Sequence, residues 1–170
     1  MKVFTQTDFD NFTVIDGVRQ CPAGDYSAIK SFGERCRFGA KCNFGDRCNF
    51  GDRCIFGELC RFGVSCRFGD GCSFRERYYF GAMCHFGARC YFNNKRVVKP
   101  GYSLLMFCGF GLVNMTAYFL NCEDGIFVRC GRFSGFIDQF REWVRATRDG
   151  KNAEKYMAVA DYMERKWREK

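Results

Sequence analysis

The sequence predicts a short solenoid followed by a small α+β domain, and three observations carry that prediction. A Phe falls on every sixth residue at 32, 38, 44, 50, 56, 62, 68, 74, 80, 86 and 92, without a miss. Four residues after each of the first ten stands a Cys, at 36, 42, 48, 54, 60, 66, 72, 84 and 90, with Tyr78 in the remaining place. Beyond Phe92 the period stops and ordinary strand and helix patterns take over. A fixed short period means units that cannot bury an apolar face alone and are stabilised by stacking on their neighbours.

The unit reads Phe-Gly-x-x-Cys-x, as in Phe32-Gly33-Glu34-Arg35-Cys36-Arg37. A large apolar residue, Gly, two variable residues, a small residue and a variable one: this pattern resembles the hexapeptide repeat of the left-handed parallel β-helix. The resemblance implies a triangular rod with three units per coil, so the ten units give about three coils. At eighteen-residue spacing the Phe columns are 32/50/68/86, 38/56/74/92 and 44/62/80, and the Cys columns 36/54/72/90, 42/60/78 (with Tyr at 78) and 48/66/84. Phe is expected to fill the prism, Cys to sit where little room remains, and Gly to supply the sharp corner. Neighbouring thiols in a column lie about one strand spacing (~4.8 Å) apart but are poorly oriented for a disulfide. One unit, Phe74-Arg75-Glu76-Arg77-Tyr78-Tyr79, lacks both Gly and Cys. Tyr78 is too large for a Cys slot, which predicts a bulge or an outward corner there and marks Arg75, Arg77 and Tyr79 as a candidate site.

Residues 1–31 do not repeat and read as an N-terminal cap hiding the first open edge. Thr5 to Phe12 predicts a capped short helix with Phe9 and Phe12 on one side, and Val14 to Cys21, turning at Asp16-Gly17, predicts a hairpin. Residues 32–92 are the solenoid and 93–102, with Lys99-Pro100-Gly101, a linker. Residues 103–170 predict a three-stranded meander (Ser103 to Phe107, Val113 to Leu120, Ile126 to Cys130) and two helices. The first helix is capped by Ser134 and packs Phe136, Phe140, Trp143 and Val144; after Asp149-Gly150 the second, capped by Asn152, packs Tyr156, Val159 and Met163.

The charge is +8, spread as 3 basic and 4 acidic residues in 1–31, 10 and 6 in 32–92, and 14 and 9 in 93–170. A surplus on the rod favours anionic partners. Residues in the third place after Phe form a basic ridge of Arg35, Arg53 and Arg89, and a second column of Lys41, Leu59 and Arg77. The third column, Arg47/Ser65/Met83, belongs to a face that also carries Val64 and Ala82. With little charge, the patch of Val64, Ser65, Ala82 and Met83 is a candidate oligomer face, a homotrimer being favoured by the resemblance to left-handed β-helix proteins. The 13 Cys include no close pair of the zinc-finger kind, their number is odd, and the sole His is His85, so buried thiols in a reducing cytosol are expected, with no bound metal or cofactor. No apolar run long enough to span a membrane and no apolar leader appear, which points to a cytoplasmic protein without a membrane partner.

Many left-handed β-helix proteins are acyltransferases that use a His as general base. His85 is flanked by Gly81, Ala82, Met83, Gly87 and Ala88 with no carboxylate to orient it, and the unbroken period leaves no inserted catalytic loop, so no catalytic residue is assigned and no enzymatic activity is expected. No phosphate-cradling, dinucleotide or hydrolase motif occurs. Along nearly its full length the chain resembles small phage- and prophage-encoded proteins, through Cys-Pro-Ala-Gly-Asp-Tyr at 21–26, the Cys-x-Phe-Gly array and Phe-Val-Arg-Cys-Gly-Arg-Phe-Ser-Gly at 127–135. That resemblance implies an accessory phage role: inhibition of a bacterial antiviral defence system, CRISPR or similar, by binding a host protein. Capture of an anionic ligand, such as a cyclic nucleotide or nucleic acid, by Arg35, Arg53, Arg89, Lys41, Arg75, Arg77 and Tyr79 is the alternative reading.

Overall fold

The computed structural model describes residues 1–75, 77–92, 96–99, 104–110 and 115–168, and the chain divides into two compact units, Met1–Tyr102 and Ser103–Lys170. The first is a parallel β-solenoid. Its two- and three-residue strands pair in parallel with the strand eighteen positions on: Phe38 with Phe56 and Phe56 with Phe74, Phe44 with Phe62 and Phe62 with Phe80, Phe32 with Phe50 and Phe50 with Phe68. Three sheets result, one per side of a triangular prism. The rod has about four coils rather than three, because the pairing starts before the first Phe of the repeat. Val18–Cys21 pairs in parallel with Cys36–Phe38, and Asp25 bridges Asn43. Tyr26, six residues before Phe32, stacks on Phe44 at 5.4 Å and 18°.

The interior is a lattice of rings. Within each column they lie nearly face to face, 4.7 Å and 5° for Phe32 on Phe50, 5.2 Å and 1° for Phe38 on Phe56, 5.0 Å and 5° for Phe44 on Phe62. Between columns they meet edge to face, as Phe38 with Phe44 at 89° and Phe44 with Phe50 at 90°. Each geometry is favoured by the ring quadrupole at ~0.5–1.5 kcal/mol per pair beyond the area buried. At the first end helix α1 (Gln6–Asp10) is closed by a capping box between Thr5 and Asp8. It places Phe9 against Phe32 at 5.2 Å, and Phe4 packs on Tyr26 at 4.9 Å.

The corners differ from expectation in one respect. The left-handed backbone falls on the third place after Phe, at Arg35, Lys41, Arg47, Arg53, Leu59, Ser65, Arg77, Met83 and Arg89, with φ from 52° to 61°, and Gly holds that place only at Gly71 (φ 67°). Beyond Gly33, whose Cβ would meet nothing, the Gly directly after Phe provides room instead, Arg75 being the exception: a Cβ on Gly57 would lie 2.7 Å from the backbone of Gly39 and Ala40, and one on Gly81 2.5 Å from that of Gly63 and Val64. Second-place Asp residues complete the corners. Asp46, Asp52 and Asp70 each accept, through Oδ1, the backbone N–H one coil on, from Val64, Asp70 and Ala88 at 2.8, 2.8 and 2.7 Å.

Tyr78 corrects a second expectation. It makes neither a bulge nor an outward corner: Arg77 has the same left-handed φ, 57°, as the other corners, and Tyr78 is buried with its ring 4.9 Å from Phe92 and 5.2 Å from Phe80. Glu76 of that unit lies outside the described residues, as do 93–95 and 100–102 of the predicted linker. Within the linker Arg96–Val98 forms a strand antiparallel to Cys90–Phe92.

The second unit is an antiparallel sheet with two helices. Among the described residues four strands, where three are predicted, follow in order: Leu104–Phe110, Met115–Cys122, Gly125–Cys130 and Phe133–Phe136. The predicted strand starts at Ser103 and Val113 lie outside the described residues. Helices α2 (Ile137–Thr147) and α3 (Gly150–Arg168) bury Ile137, Phe140 and Val144, and Tyr156, Ala160 and Met163, against Phe119, Val128 and Cys130. The N-cap of α2 is Phe136 rather than Ser134, which lies in the last strand, and Gln139 reaches back to accept the Phe136 N–H at 2.9 Å. Gly150 opens α3, ahead of the predicted cap at Asn152. Arg141 ties the helices together, donating to Asp161 at 2.8 Å and Glu164 at 2.9 Å. Among the described residues no helix is long and apolar enough to cross a membrane.

These contacts set the response to three substitutions. Gly57→Ala should cost ~2–3 kcal/mol in denaturant unfolding because the added methyl meets backbone that cannot yield. Arg53→Gly should stay within ~0.5 kcal/mol of the parent, relief of the left-handed strain offsetting the entropy Gly loses on folding. In the second unit the Arg141 guanidinium holds the Glu164 carboxyl below its usual range. A depressed carboxyl stabilises the fold above its unfolded-state pKa and loses that contribution as pH falls through its folded value. Glu164→Gln should therefore destabilise by ~1 kcal/mol at neutral pH, and the difference should vanish in acid.

Candidate functional site

With the interior closed by rings and thiols, chemistry can only be carried by the outward places: the second and third after Phe and the one before it. On the three sides the residues before Phe form the rows Ser31/Asn49/Arg67/His85, Arg37/Ile55/Ser73/Tyr91 and Asp25/Asn43/Arg61/Tyr79. Tyr79 and Tyr91 are 42% and 37% exposed, large figures for aromatic residues, and both belong to the last coil.

The predicted anion surface is divided by the fold. Arg35, Arg53 and Arg89 share one corner. The depression there, about 380 Å³, is lined by Arg53, Arg89, Gly71 and Tyr91, but also by Asp52 and Asp70, whose charges offset the two Arg. Arg75 lines a second depression of about 580 Å³ with Arg37 and Glu58. Lys41 and Arg77 lie on a different corner, beside the side that carries Tyr79. There Lys41, Leu59, Asn43, Arg61 and Tyr79 surround a depression of about 490 Å³ with no carboxylate in its lining. The Arg61 guanidinium stands over the Tyr79 ring, 5.4 Å from its centroid. Arg61 is absent from the predicted anion surface although Tyr79 of the same row belongs to it; the row before Phe at eighteen-residue spacing, Asn43/Arg61/Tyr79, is the signal that finds it.

Val64, Ser65, Ala82 and Met83 share the corner after that side, with Val64 40% and Met83 65% exposed. They form a small apolar patch, Ala82 one coil above Val64 and Met83 one coil above Ser65. His85 lies in the row beside Arg67, its partner in register, so its neighbour on that sheet is a cation rather than a carboxylate.

The thiols face inward. Cys54, Cys60, Cys66, Cys72, Cys84 and Cys90 each donate to the carbonyl of the Gly twenty-one residues earlier, at 3.3 to 3.6 Å. Hydrogen bonding by Cys54 and Cys90 together with burial pushes the Cys72 thiol well above the ordinary thiol range, and burial raises Cys130. Hydrogen bonds from neighbouring thiols draw Cys36, Cys42, Cys66 and Cys90 the other way, below that range, and what the set shares is burial, which keeps reagents from it.

Among known families, one family model, described as an RNA-binding, Nab2-type zinc finger, matches residues 30–45, 59–75 and 77–93, less than half of the chain. No curated protein and no solved structure matches. The residues do not fit a zinc ion. Zinc needs four ligands converging at ~2.0–2.3 Å, whereas six-residue steps send successive thiols to different corners of the prism. His85 points to the outer row while Cys84 and Cys90 are buried. Among the described residues no group of three or more His, Cys, Asp or Glu side chains is placed to hold a metal. The chain is similar to that family in these three stretches, which contain its regularly spaced Cys.

A chelator separates the two origins of that spacing. Prolonged EDTA treatment should leave the melting temperature unchanged, where loss of a structural zinc would unfold the segment. The thiols of the solenoid should react with a disulfide reagent only after denaturation.

Proposed function

We propose that this chain is a non-catalytic binding protein, an accessory protein of a bacteriophage that acts in the cytoplasm of the infected bacterium and inhibits an antiviral defence system by binding a host protein. The observation that carries the reading is the outward surface of the last coil, where exposed Tyr79, Met83 and Tyr91 stand among Arg75, Arg77 and Arg89. Tyr, Met and Arg are the side chains enriched at the cores of protein interfaces, and Tyr and Arg dominate binding hot spots. The resemblance of the Cys-Pro-Ala-Gly-Asp-Tyr segment, the array and the tail to phage-encoded proteins supplies the setting. A net charge of +8 makes an acidic partner surface the better match.

The patch of Val64, Ser65, Ala82 and Met83 supports self-association on the same reasoning: a low-charge corner is the one place on a cationic rod where copies meet without repelling. A homotrimer is the expected state, and a monomer in native mass spectrometry removes this part of the proposal.

Plaquing on cells that carry a defence system reads the main proposal. Cells producing the chain should become permissive by orders of magnitude, and Tyr91→Ala combined with Met83→Asp should abolish the effect while circular dichroism and melting stay unchanged. Protection that survives the double variant, or permissiveness on none of a panel of defended hosts, overturns it.

A further inference from the structure

We infer that the depression bounded by Lys41, Arg61 and Tyr79 is a binding site for a small nucleoside phosphate. The inference goes beyond the protein-partner reading and does not rest on it. Three observations carry it. The first is charge: among the described residues, the depression at Arg53/Arg89 contains Asp52 and Asp70, and the one at Arg37/Arg75 contains Glu58, whereas the Lys41/Arg61 depression has two cations and no carboxylate in its lining. Neither cation forms an ion pair among the described residues. A guanidinium and an ammonium converging on one recess are suited to a phosphate, the first by paired hydrogen bonds and the second as a point charge.

The second observation is shape and preorganisation. About 490 Å³ lies within the range of small-ligand sites. Arg61 is held over the Tyr79 ring, 5.4 Å from the centroid, so its plane is set before any ligand arrives and less side-chain entropy is lost on binding. Leu59 occupies the corner place that Arg or Lys fills at 41, 53, 77 and 89, and with Met1 it gives the recess an apolar wall for a base. The third is Asn43. Its Nδ2 donates to Asp25 Oδ2 at 3.3 Å, which identifies the amide orientation and leaves Oδ1 as an acceptor for an exocyclic amine. The three walls come from three successive coils, Lys41, then Leu59 and Arg61, then Tyr79, so the site exists only because the register is eighteen.

Isothermal titration of the full chain with ADP tests the assignment. One ADP should bind per chain, with an affinity that falls at least tenfold in Arg61→Gln and in Lys41→Gln and weakens as salt is raised. Tyr91→Ala with Met83→Asp should bind ADP as the parent does. Circular dichroism of both Gln variants should match the parent, because both side chains are exposed. No heat at millimolar ADP, an affinity unchanged by both Gln variants, or inorganic pyrophosphate binding as tightly as ADP each overturns the proposal. Because the variants are disjoint, ADP binding can fail while the plaquing result stands, and the reverse.

Discussion

Everything in the first unit depends on Phe rings repeating at the same interval as the backbone ladder. Rings stacked at 4.7 to 5.2 Å match the spacing of parallel strands, ~4.8 Å, so the hydrogen bonds and the aromatic lattice ask for one and the same rise per coil. Three rings per coil meeting edge to face fill the prism. What remains at each corner is room for a sulfur, and the thiol turns that tight place to use by donating to a Gly carbonyl of the coil before. Gly after Phe follows from the same constraint, since strands this short bring one corner's backbone directly over the next.

The columns of the rod were legible in the sequence because an unbroken period leaves no freedom of register. What was not legible lies where two explanations share one residue. A repeated Gly fits both a left-handed turn and a close approach, and only the placement of φ at Arg35, Lys41 and Arg53 separates them. Asp52 and Asp70 look like partners for the neighbouring Arg, yet their Oδ1 atoms serve backbone N–H groups. Tyr78 is far larger than the Cys whose place it takes; the last coil accommodates it because its ring joins the lattice beside Phe80 and Phe92. Tyr26 escaped because the turn after it puts Ile29, not position 30, in the buried corner.

In the second unit the existence of strands and helices followed from apolar periodicity, while their ends did not. The stretch Phe133–Phe136 carries the alternation of a strand but borders Ser134, a strong capping residue. Tertiary pairing of Cys130 with Phe133 and of Phe127 with Phe136 decides the matter, and Gln139 then supplies the cap from inside the helix. Of the candidate site, the third-place residues were visible from the period, and the row before Phe was taken only at Tyr79. A side chain's place on a solenoid is read from its column, and each column must be laid out for its neighbours to appear.

The ladder of second-place carboxylates also bears on what the last coil carries. An Asp there is useful while a further coil presents an N–H to it, as Val64, Asp70 and Ala88 do for Asp46, Asp52 and Asp70. In the last coil no further coil follows, since the strands Tyr79–Phe80 and His85–Phe86 end their sheets, and the second places at 82 and 88 are Ala. The structural reason for a carboxylate disappears at those two places, while the third-place Arg89 persists beside Ala88. Tyr79, Met83 and Tyr91 are exposed on the same coil. The carboxylate ladder makes no demand on the outward places of such a coil, so it does not account for the Tyr and Met side chains found there.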